Sequence, residues 1–419
     1  MKEKLYNLYQ DSLFRNSFFL ILTSGLMAGF GFFFWLICAR VFDAKNVGLA
    51  TSLISAASLM SIFSTLGFNN VIIRFLPTSQ RKDHQISTAL ISTGILSIIV
   101  SALFCIWAIF THNSAFTATN VLWLLIMTFS LQVFSTTLNT IFESVFIAYR
   151  RAGYILTKSI IFSTLKLIIL FTVIDYGFYG ILGATAISTT IACLLSIIWL
   201  IKKFSYHPVL TIDSETVEET KHFAAGNYLG TLFGILPSTT LILIISSRLG
   251  PEFAAFFYIP SMFITLLNVI PSSSAQSFFA EVSHDEPGMH TYFKQTIKHL
   301  FGLLVPASAL IILAGGYILS FFGANYAQAG TNPLRIMVLA SFVGAANYLG
   351  DTLLNIKKMS RTYIFMNALN SLAIVIPAYI VAPYGLVTIA WISLLGQIIT
   401  LGIYLIINRN LLISLRTNS

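Results

Sequence analysis

Long apolar stretches fill most of this chain, and their length is what most limits how it can fold. Each stretch is near or above the roughly 20 residues that an α-helix needs to cross a bilayer. Lipid offers no water to free backbone groups, and the stretches are far longer than the roughly 10-residue strands of a membrane barrel, so they must be helices. We place twelve spans at residues 17–38, 47–73, 86–110, 120–148, 154–174, 178–201, 223–247, 252–280, 293–315, 332–356, 361–382 and 385–407.

The composition excludes a soluble protein. Hydrophobic residues make up 56% of the chain and charged residues only 9%, whereas soluble domains carry about 25% charged residues. The first apolar stretch is too long for a signal-peptide core and has no small-residue cleavage site behind it, so we expect it to stay in the mature protein. Cys38, Cys105 and Cys193 all lie in apolar stretches without metal-ligand spacing, which is typical of packing residues. The sequence therefore predicts an all-α integral membrane protein.

Basic residues are distributed unevenly between the two predicted sides of the membrane. If the N-terminus is cytoplasmic, the inner connections together with the inner ends of the spans hold 19 of the 24 lysines and arginines. The outer ends keep Arg40, Lys45 and Arg248, while Lys166 and Arg335 lie within spans. This pattern follows the positive-inside rule and predicts that both termini are cytoplasmic. The inner basic residues account for most of the net charge of +9, so the charge does not call for a nucleic-acid partner. They also favour attraction to anionic membrane lipid.

Several residues of the first half recur, with the same or a similar side chain, 208 positions later in the second half. Agreement of several polar positions at one offset predicts a duplicated membrane protein. The matching positions are Asn139 with Asn347, Glu143 with Asp351, Arg150 with Lys358, Arg40 with Arg248, and Tyr176-Gly177 with Tyr384-Gly385.

The longest polar connection divides the chain almost in half. We expect an N-terminal six-helix bundle at residues 1–203, a cytoplasmic linker at 204–221 and a C-terminal six-helix bundle at 222–419. Because each half has an even number of spans, both begin on the same side, so the two bundles form a parallel repeat.

Within the predicted spans, proline occurs only in the second half of the chain. Proline removes a helical hydrogen bond and permits kinks, so the second bundle is the candidate for a bending element, with Pro237, Pro260 and Pro271 as gating positions. The alternative is that these are prolines of the kind that membrane helices simply tolerate. The set is Pro237, Pro260, Pro271, Pro306 and Pro377.

Short motifs near the ends of several spans carry a family resemblance. They are Trp35, Ala39-Arg40, Val47-Gly48, Leu66-Gly67, Ile73-Arg74 and Phe322-Gly323-Ala324-Asn325-Tyr326. Together they resemble the polysaccharide-export branch of the multidrug/oligosaccharidyl-lipid/polysaccharide (MOP) flippase superfamily, over essentially the whole chain. The resemblance is nearest to O-antigen flippases, which turn undecaprenyl-diphosphate-linked sugar units from the inner to the outer leaflet.

This resemblance implies two six-helix lobes around a hydrophilic cavity, alternating access and a cationic wall for the diphosphate. It also implies the bacterial cytoplasmic (inner) membrane as the location. The implied partners are the undecaprenyl-diphosphate-linked glycan, membrane lipid and other polysaccharide-assembly proteins.

Lys166 is the first candidate for the cationic wall. It lies about 12 residues from the predicted inner end of the fifth span, a depth of roughly 18 Å. A lysine there is costly and indicates function, and an ammonium suits a diphosphate. The corresponding position in the second half is Ile374, so this lysine occurs in only one of the two repeats. The alternative is a structural lysine that reaches the interface or pairs with Asp175.

Four arginines are further substrate-binding candidates. Arg40 and Arg248 break the positive-inside pattern, but Asp43 and Glu252 nearby would make ordinary surface pairs. Arg335 is predicted about one turn inside the tenth span, where an interfacial anchor competes with a cavity ligand. Arg74, at the end of the second span, is an inner-leaflet anchor or a headgroup contact.

The duplicated amide and carboxylate suggest a gate or an ion-coupling site. Asn139 with Glu143, and Asn347 with Asp351, have the i, i+4 spacing that puts both side chains on one helix face. Arg150 and Lys358 follow on the same stripes. The stripes could exchange ion pairs at an inner gate, with one carboxylate titrating to couple protons. The alternative is structural hydrogen bonding between helices.

Enzymatic chemistry has little support in the sequence. It contains no glycine-rich phosphate loop, no paired His/Cys metal spacing and no nucleophile elbow, so we predict neither an enzyme nor a cofactor. The competing function is a cation-coupled multidrug exporter of the same superfamily. Such exporters often couple cation entry through a carboxylate on the first helix, but residues 17–38 contain no Asp, Glu, Lys or Arg. A cationic interior also fits an anionic headgroup better than a cationic drug.

Overall fold

The structure of the protein is a computed structural model that describes residues 12–111, 114–117, 121–284 and 287–407. Within these residues all regular secondary structure is helical. Twelve helical segments of the described chain are long and apolar enough to span a membrane. The predicted fold class, an all-α protein with twelve transmembrane helices in duplicated halves, is confirmed.

Helices follow one another with short connections. In the first half they are α1 (Ser12–Val41), α2 (Ala44–Thr65), α3 (Phe68–Phe75), α4 (Lys82–Phe110), α5 (Ser114–Thr117), α6 (Leu122–Ala148), α7 (Ala152–Thr172) and α8 (Phe178–Phe204). In the second half they are α9 (Ser214–Arg248), α10 (Pro251–Leu267), α11 (Val269–His284), α12 (Met289–Ser320), α13 (Ala324–Ile356), α14 (Ser360–Val381) and α15 (Leu386–Ile407). A 3₁₀ turn precedes α8 at Ile174–Tyr176, and another precedes α15 at Ala382–Tyr384.

The chain divides into two compact units, Met1–Tyr228 and Leu229–Ser419. In the first unit α2 is the central helix and packs against α4, α6 and α8. Its many Gly, Ala and Ser residues allow this, because small side chains let membrane helices approach closely. In the second unit α13 has the same role and packs against α10, α11, α12 and α15. The division into 1–203, 204–221 and 222–419 stays a prediction, and α9 already begins within its linker.

The duplication is visible in the backbone at two turns. Arg150 and Lys358, 208 residues apart, both have a left-handed backbone, with φ of 54° and 56°. Each follows its helix in a Schellman motif: the Arg151 N–H donates to the Phe146 carbonyl, and the Met359 N–H donates to the Leu354 carbonyl, both at 2.9 Å. The two 3₁₀ turns are also 208 residues apart. The repeat has therefore kept its turn geometry as well as its residues.

Three predicted spans differ from the helices in the structure. The second ends early, because Leu66 and Gly67 take left-handed φ values of 47° and 79°, and Arg74 belongs to the separate helix α3. The eighth is interrupted at Asn268, three residues before Pro271. The tenth begins at Ala324 rather than at residue 332, so only residues 321–323 separate α12 from α13.

The altered helix boundaries change where some of the prolines lie within their helices. Pro237, Pro260, Pro306 and Pro377 lie inside helices as expected. Pro271 instead lies in the first turn of α11, where its missing N–H costs no hydrogen bond. Pro333, which the predicted boundaries had kept at the edge of a span, lies inside α13. A gating role for Pro237, Pro260 and Pro271 stays a prediction.

Residues 205–213, between α8 and α9, lie against the beginning of α4. The Val209 N–H donates to Ser87 Oγ at 3.0 Å, and the Asp213 N–H donates to Thr88 Oγ1 at 2.9 Å. The hydroxyls of Tyr206 and Ser87 are 2.7 Å apart. Burial raises the pKa of the Tyr206 phenol, which keeps it a neutral hydrogen-bonding group. This connection is therefore held in place by the first unit.

The predicted orientation can be tested with single cysteines at two exposed positions. Leu210, in this connection, is 91% exposed, and Tyr384, in the predicted outer turn before α15, is 80% exposed. We expect an impermeant thiol reagent to label Leu210→Cys only after the membrane is opened, and Tyr384→Cys in intact cells. The three native cysteines are buried and should give little background. Labelling of Leu210→Cys in intact cells would reverse the topology.

Candidate functional site

The hairpin of α6 and α7 holds a charged cluster inside the first unit. Lys158 Nζ lies 2.8 Å from Glu143 Oε1 and 2.7 Å from Asn139 Oδ1. Asn139 Nδ2 also donates to Glu143 Oε1, at 3.1 Å. The i, i+4 spacing of Asn139 and Glu143 thus presents two acceptors on one helix face, and Lys158 on the next helix joins them. This cluster links α6 to α7 within one unit.

The cluster offsets the free-energy cost of burying the charged Lys158 side chain. The lysine is only 1% exposed, whereas the side chain of Glu143 is 38% exposed. An ammonium withdrawn from water is stable only with an opposite charge and further acceptors, and Lys158 has both. Glu143 is consequently neutralised by a partner in its own unit.

The sequence analysis counted Lys158 only among the basic residues on the inner side, although it lies within the predicted span 154–174, and missed this role. The signal is nevertheless present, because α6 and α7 form an antiparallel hairpin. Residues at equal distances from its turn face each other, and Glu143 and Lys158 are equidistant from a point between Arg150 and Arg151. A lysine that faces a carboxylate across a membrane hairpin is a predictable ion pair.

In the second unit the repeat position of Glu143 is again a carboxylate, Asp351, but that of Lys158 is uncharged. The repeat position of Lys158 is Met366, which is fully buried beside Leu354 and Tyr404. Asp351 accepts hydrogen bonds from Asn367 Nδ2 at 3.0 Å and from the Tyr404 hydroxyl. Among the described residues it has no basic side chain within 4.0 Å. Asp351 is therefore held by neutral donors and keeps its negative charge uncompensated when ionised.

A close helix contact positions the Tyr404 hydroxyl. Gly350 lies against the Tyr404 ring, and a Cβ at that position would come within 2.8 Å of it. Only glycine lets α15 approach α13 this closely beside the carboxylate.

Two buried acceptors lie on the same pair of helices. Asn347 Nδ2 donates to the Gln397 backbone carbonyl at 3.2 Å. The side-chain oxygens of Asn347 and Gln397 are buried and have no hydrogen-bond donor among the described residues. Buried acceptors of this kind are costly unless water or a cation reaches them. The α13–α15 interface thus combines one uncompensated carboxylate with two amide oxygens that lack a donor.

Lys166 lies deep in α7 against aromatic rings. It is 14 residues from Ala152, roughly 21 Å along the helix. Its Nζ is 4.0 Å from the centroid of the Phe34 ring on α1 and 5.2 Å from that of Phe162. The described residues include no carboxylate within 4.0 Å, so the proposed bridge to Asp175 is absent. Aromatic faces stabilise an ammonium without neutralising it, so the positive charge remains available.

Arg335 lies much further inside its helix than the sequence suggested. Because α13 begins at Ala324, Arg335 is 11 residues in, roughly 16 Å along the axis. It is exposed on the surface of the second unit. An exposed guanidinium at that depth must reach a polar region, since lipid tails cannot solvate it. The expected one-turn depth within the helix is corrected, and the choice between an interfacial anchor and a cavity ligand stays a prediction.

The remaining candidate arginines are exposed near helix ends. Arg40 ends α1, and Arg74 lies in the last turn of α3 with its guanidinium 5.6 Å from the Phe75 ring centroid. Arg248 ends α9 and lies 4.4 Å from the Tyr379 ring centroid, rather than within 4.0 Å of Glu252. Arg40 and Arg74 belong to the first unit and Arg248 to the second.

Arg150 and Lys358 occupy the left-handed positions of the two repeated turns, and both are exposed. Glycine is the usual residue there, and a side chain costs roughly 1–2 kcal/mol. Both copies nevertheless carry a cation. A strained position that keeps its charge indicates a use for the charge.

Within the described residues, no group of three or more His, Cys, Asp or Glu side chains could hold a metal ion. The arrangement consists instead of deep cations, one neutralised carboxylate and one uncompensated carboxylate. Such a set offers positive and negative groups at separate places.

Comparison with known proteins gives a family and a fold. The family described as "Polysaccharide biosynthesis protein" matches residues 13–279. No curated protein sequence is significantly similar. A multidrug resistance MATE family transporter of the MOP superfamily, in an inward-facing conformation, is 15% identical, with a TM-score of 0.69 over 92% of this chain and 96% of that chain.

Two further solved structures are similar. The lipid II flippase MurJ, in an inward closed conformation, is 15% identical, with a TM-score of 0.75 over 93% of this chain and 87% of that chain. A MOP superfamily transporter from Pyrococcus furiosus, described by the reverse polarity of its binding pocket, is 16% identical, with a TM-score of 0.59 over 98% of each chain. At these identities the likeness concerns the fold.

The Lys158–Glu143 pair predicts an unequal response to removal of either partner. Glu143→Met leaves a fully buried ammonium without its counter-ion and should destabilise the protein by about 3–5 kcal/mol. Lys158→Met leaves a partly exposed carboxylate and should cost less. The double variant should lose less than the sum of the two, as measured by the thermal unfolding of purified protein. Additive losses would show that the two charges do not interact.

Proposed function

Since the chain belongs to the polysaccharide biosynthesis protein family of the MOP flippase superfamily, we propose that it translocates a lipid-linked oligosaccharide joined to its lipid by a diphosphate. The proposed substrate is an undecaprenyl-diphosphate-linked repeat unit of O-antigen or a related surface polysaccharide. Movement is from the inner to the outer leaflet of the bacterial cytoplasmic membrane by alternating access, with both termini cytoplasmic. Twelve candidate spans in the described chain make it a multi-pass membrane protein.

The observation that carries the proposal is the state of Lys166. Its ammonium lies deep in a membrane helix on two aromatic rings, without a carboxylate partner among the described residues. A charge that is solvated in this way attracts an anionic headgroup and repels a cationic drug. Arg335 adds a second deep and exposed cation, in the other unit. Phosphate oxygens are the natural ligands of both.

Asp351 supports the proposal that transport is coupled to a cation. Glu143 has a buried lysine beside it, so its charge is already compensated. Asp351 has only neutral donors, and the buried oxygens of Asn347 and Gln397 lie on the same helices. Of the two repeat-related carboxylates, we assign the coupling role to Asp351. A cation-coupled multidrug exporter would use the same residue, so the carried solute decides between the two functions.

Reconstituted protein separates these functions. We expect liposomes that contain the protein to move a fluorescent undecaprenyl-diphosphate-linked sugar between leaflets, and not to accumulate a cationic dye under a proton or sodium gradient. Liposomes without protein give the spontaneous rate. Gradient-driven dye transport without sugar-lipid movement would favour the exporter and contradict the proposal.

Lys166→Ala should slow sugar-lipid movement by tenfold or more, because the loss of a charge-assisted contact to phosphate costs about 1.5–3 kcal/mol. Lys166→Arg keeps the charge and should retain part of the activity. Lys45→Ala, which removes an exposed charge at the first turn of α2, is the matched control and should transport normally. Normal transport by Lys166→Ala would remove the residue from the site.

Restoring the lost cation of the second unit tests the role of Asp351. Met366→Lys recreates the lysine that neutralises the carboxylate in the first unit, and should give a folded protein with little gradient-dependent transport. Met366→Leu changes the side chain without adding charge and should behave as wild type. Asp351→Asn should lose the gradient dependence in the same assay. Wild-type coupling in Asp351→Asn would contradict the assignment.

A further inference from the structure

A cavity of about 320 Å³ opens between the beginnings of α1 and α7, in the first unit. Its walls combine the side chains of Asn16 and Phe19 from α1 with residues 150–154, 156 and 157 around the start of α7. On the predicted topology these ends lie at the cytoplasmic surface of the membrane, where lipid headgroups are found. The cavity is separate from Lys166, which lies about 21 Å further along α7.

The polar lining of the cavity is strongly positive. Arg150 and Arg151 are both exposed at its wall, and neither has a carboxylate within 4.0 Å among the described residues. None of the lining residues is acidic. Asn16 Oδ1 accepts the Ala152 N–H at 2.8 Å, which fixes the Asn16 side chain beside the start of α7 and leaves its amide nitrogen as the donor end of that side chain. Two guanidinium groups and an amide donor form a set that suits phosphate oxygens.

The rest of the lining is apolar or aromatic. Phe19, Tyr154 and Leu156 line the cavity beside the arginines. A free phosphate would leave these side chains without a partner, whereas a lipid would place its phosphate on the arginines and its chain on the apolar wall. The backbone supports the same interpretation, because Arg150 holds a left-handed φ of 54° at a position where glycine would be unstrained. Arg150 lies at the C-terminal end of α6 and at the wall of the cavity, so its charge is available to a ligand there.

We propose that this cavity binds the phosphate of a membrane lipid from the cytoplasmic leaflet. The phosphate lies between Arg150, Arg151 and the Asn16 amide, with the chain against Phe19 and Leu156. Two lipids offer this chemistry: an anionic phospholipid of the bilayer, and the polyprenyl diphosphate of the proposed substrate. The site itself does not require the proposed transport function.

Native mass spectrometry of the purified protein can count bound lipid, with phosphatidylglycerol as the probe and phosphatidylcholine as the lipid without net charge. We expect Arg150→Gln and Arg151→Gln each to lower phosphatidylglycerol retention about fivefold. Lys202→Gln and Lys203→Gln, which remove exposed charges from the end of α8 on the same predicted side, should leave it unchanged. Equal losses in both sets would mean a general surface attraction and overturn the site.

Two substitutions of different size at one lining residue test the cavity without changing any charge. Gly153 lines the cavity, and a Cβ there would meet Phe19 at an ordinary 3.7 Å. Gly153→Ala should therefore fold and bind as wild type, while Gly153→Leu should fill the space and displace the lipid. Wild-type binding by Gly153→Leu would overturn the proposal.

Arg150→Gly distinguishes a ligand role from a structural one. It relieves the left-handed strain and removes one charge, so we expect a higher unfolding temperature together with weaker phosphatidylglycerol binding. A lower unfolding temperature with unchanged binding would assign Arg150 to the turn alone. Added undecaprenyl diphosphate then identifies the lipid: displacement of phosphatidylglycerol at equal concentration supports the substrate lipid, and retention supports the bulk phospholipid.

Discussion

A charge inside the hydrocarbon region must be solvated by the protein, and this constraint explains the placement of the polar residues in both units. The structure meets it in three ways. Lys158 has an opposite charge and an amide oxygen, Asp351 has two neutral donors, and Lys166 has two aromatic faces. Only the first of these cancels the charge. The other two stabilise it while leaving its sign free to act on a ligand, which is why depth alone does not identify a transport residue.

The duplication shows how one scaffold acquired two electrostatic states. The Schellman turns at Arg150 and Lys358 and the paired 3₁₀ turns preserve the backbone over an offset of 208 residues. One change in side chain, from Lys158 in the first unit to Met366 in the second, turns a compensated carboxylate into an uncompensated one. Asp351 is also one methylene shorter than Glu143, and it accepts hydrogen bonds from Asn367 and Tyr404 instead of a lysine. The first copy joins α6 to α7 through an ion pair, and the second has the carboxylate to which we assign the coupling role.

The twelve spans and their duplication were predictable from the sequence because hydropathy and residue offset are local properties. Their interruptions were not. Leu66-Gly67 breaks the second span inside an apolar stretch, and the start of α13 at Ala324 is polar enough to look like a connection. That error made Arg335 look interfacial. Lys158 was missed for a different reason: its partner is 15 residues away on another helix, and only the hairpin geometry brings the two together.

The magnitudes indicate why we propose different roles for Lys166 and Lys158, although both lie in α7. A lysine near the centre of a membrane helix costs about 2.5–3.5 kcal/mol, and each aromatic face returns about 0.5–2 kcal/mol. Two faces therefore bring Lys166 close to balance while the charge of +1 remains. Any phosphate that reaches it gains the full charge-assisted contact, since no bond to a carboxylate has to break first. At Lys158 the same phosphate would have to displace Glu143, and the net gain would be small. The neutralised lysine is thus suited to hold helices together, and the aromatic-solvated lysine is suited to bind and release an anionic headgroup.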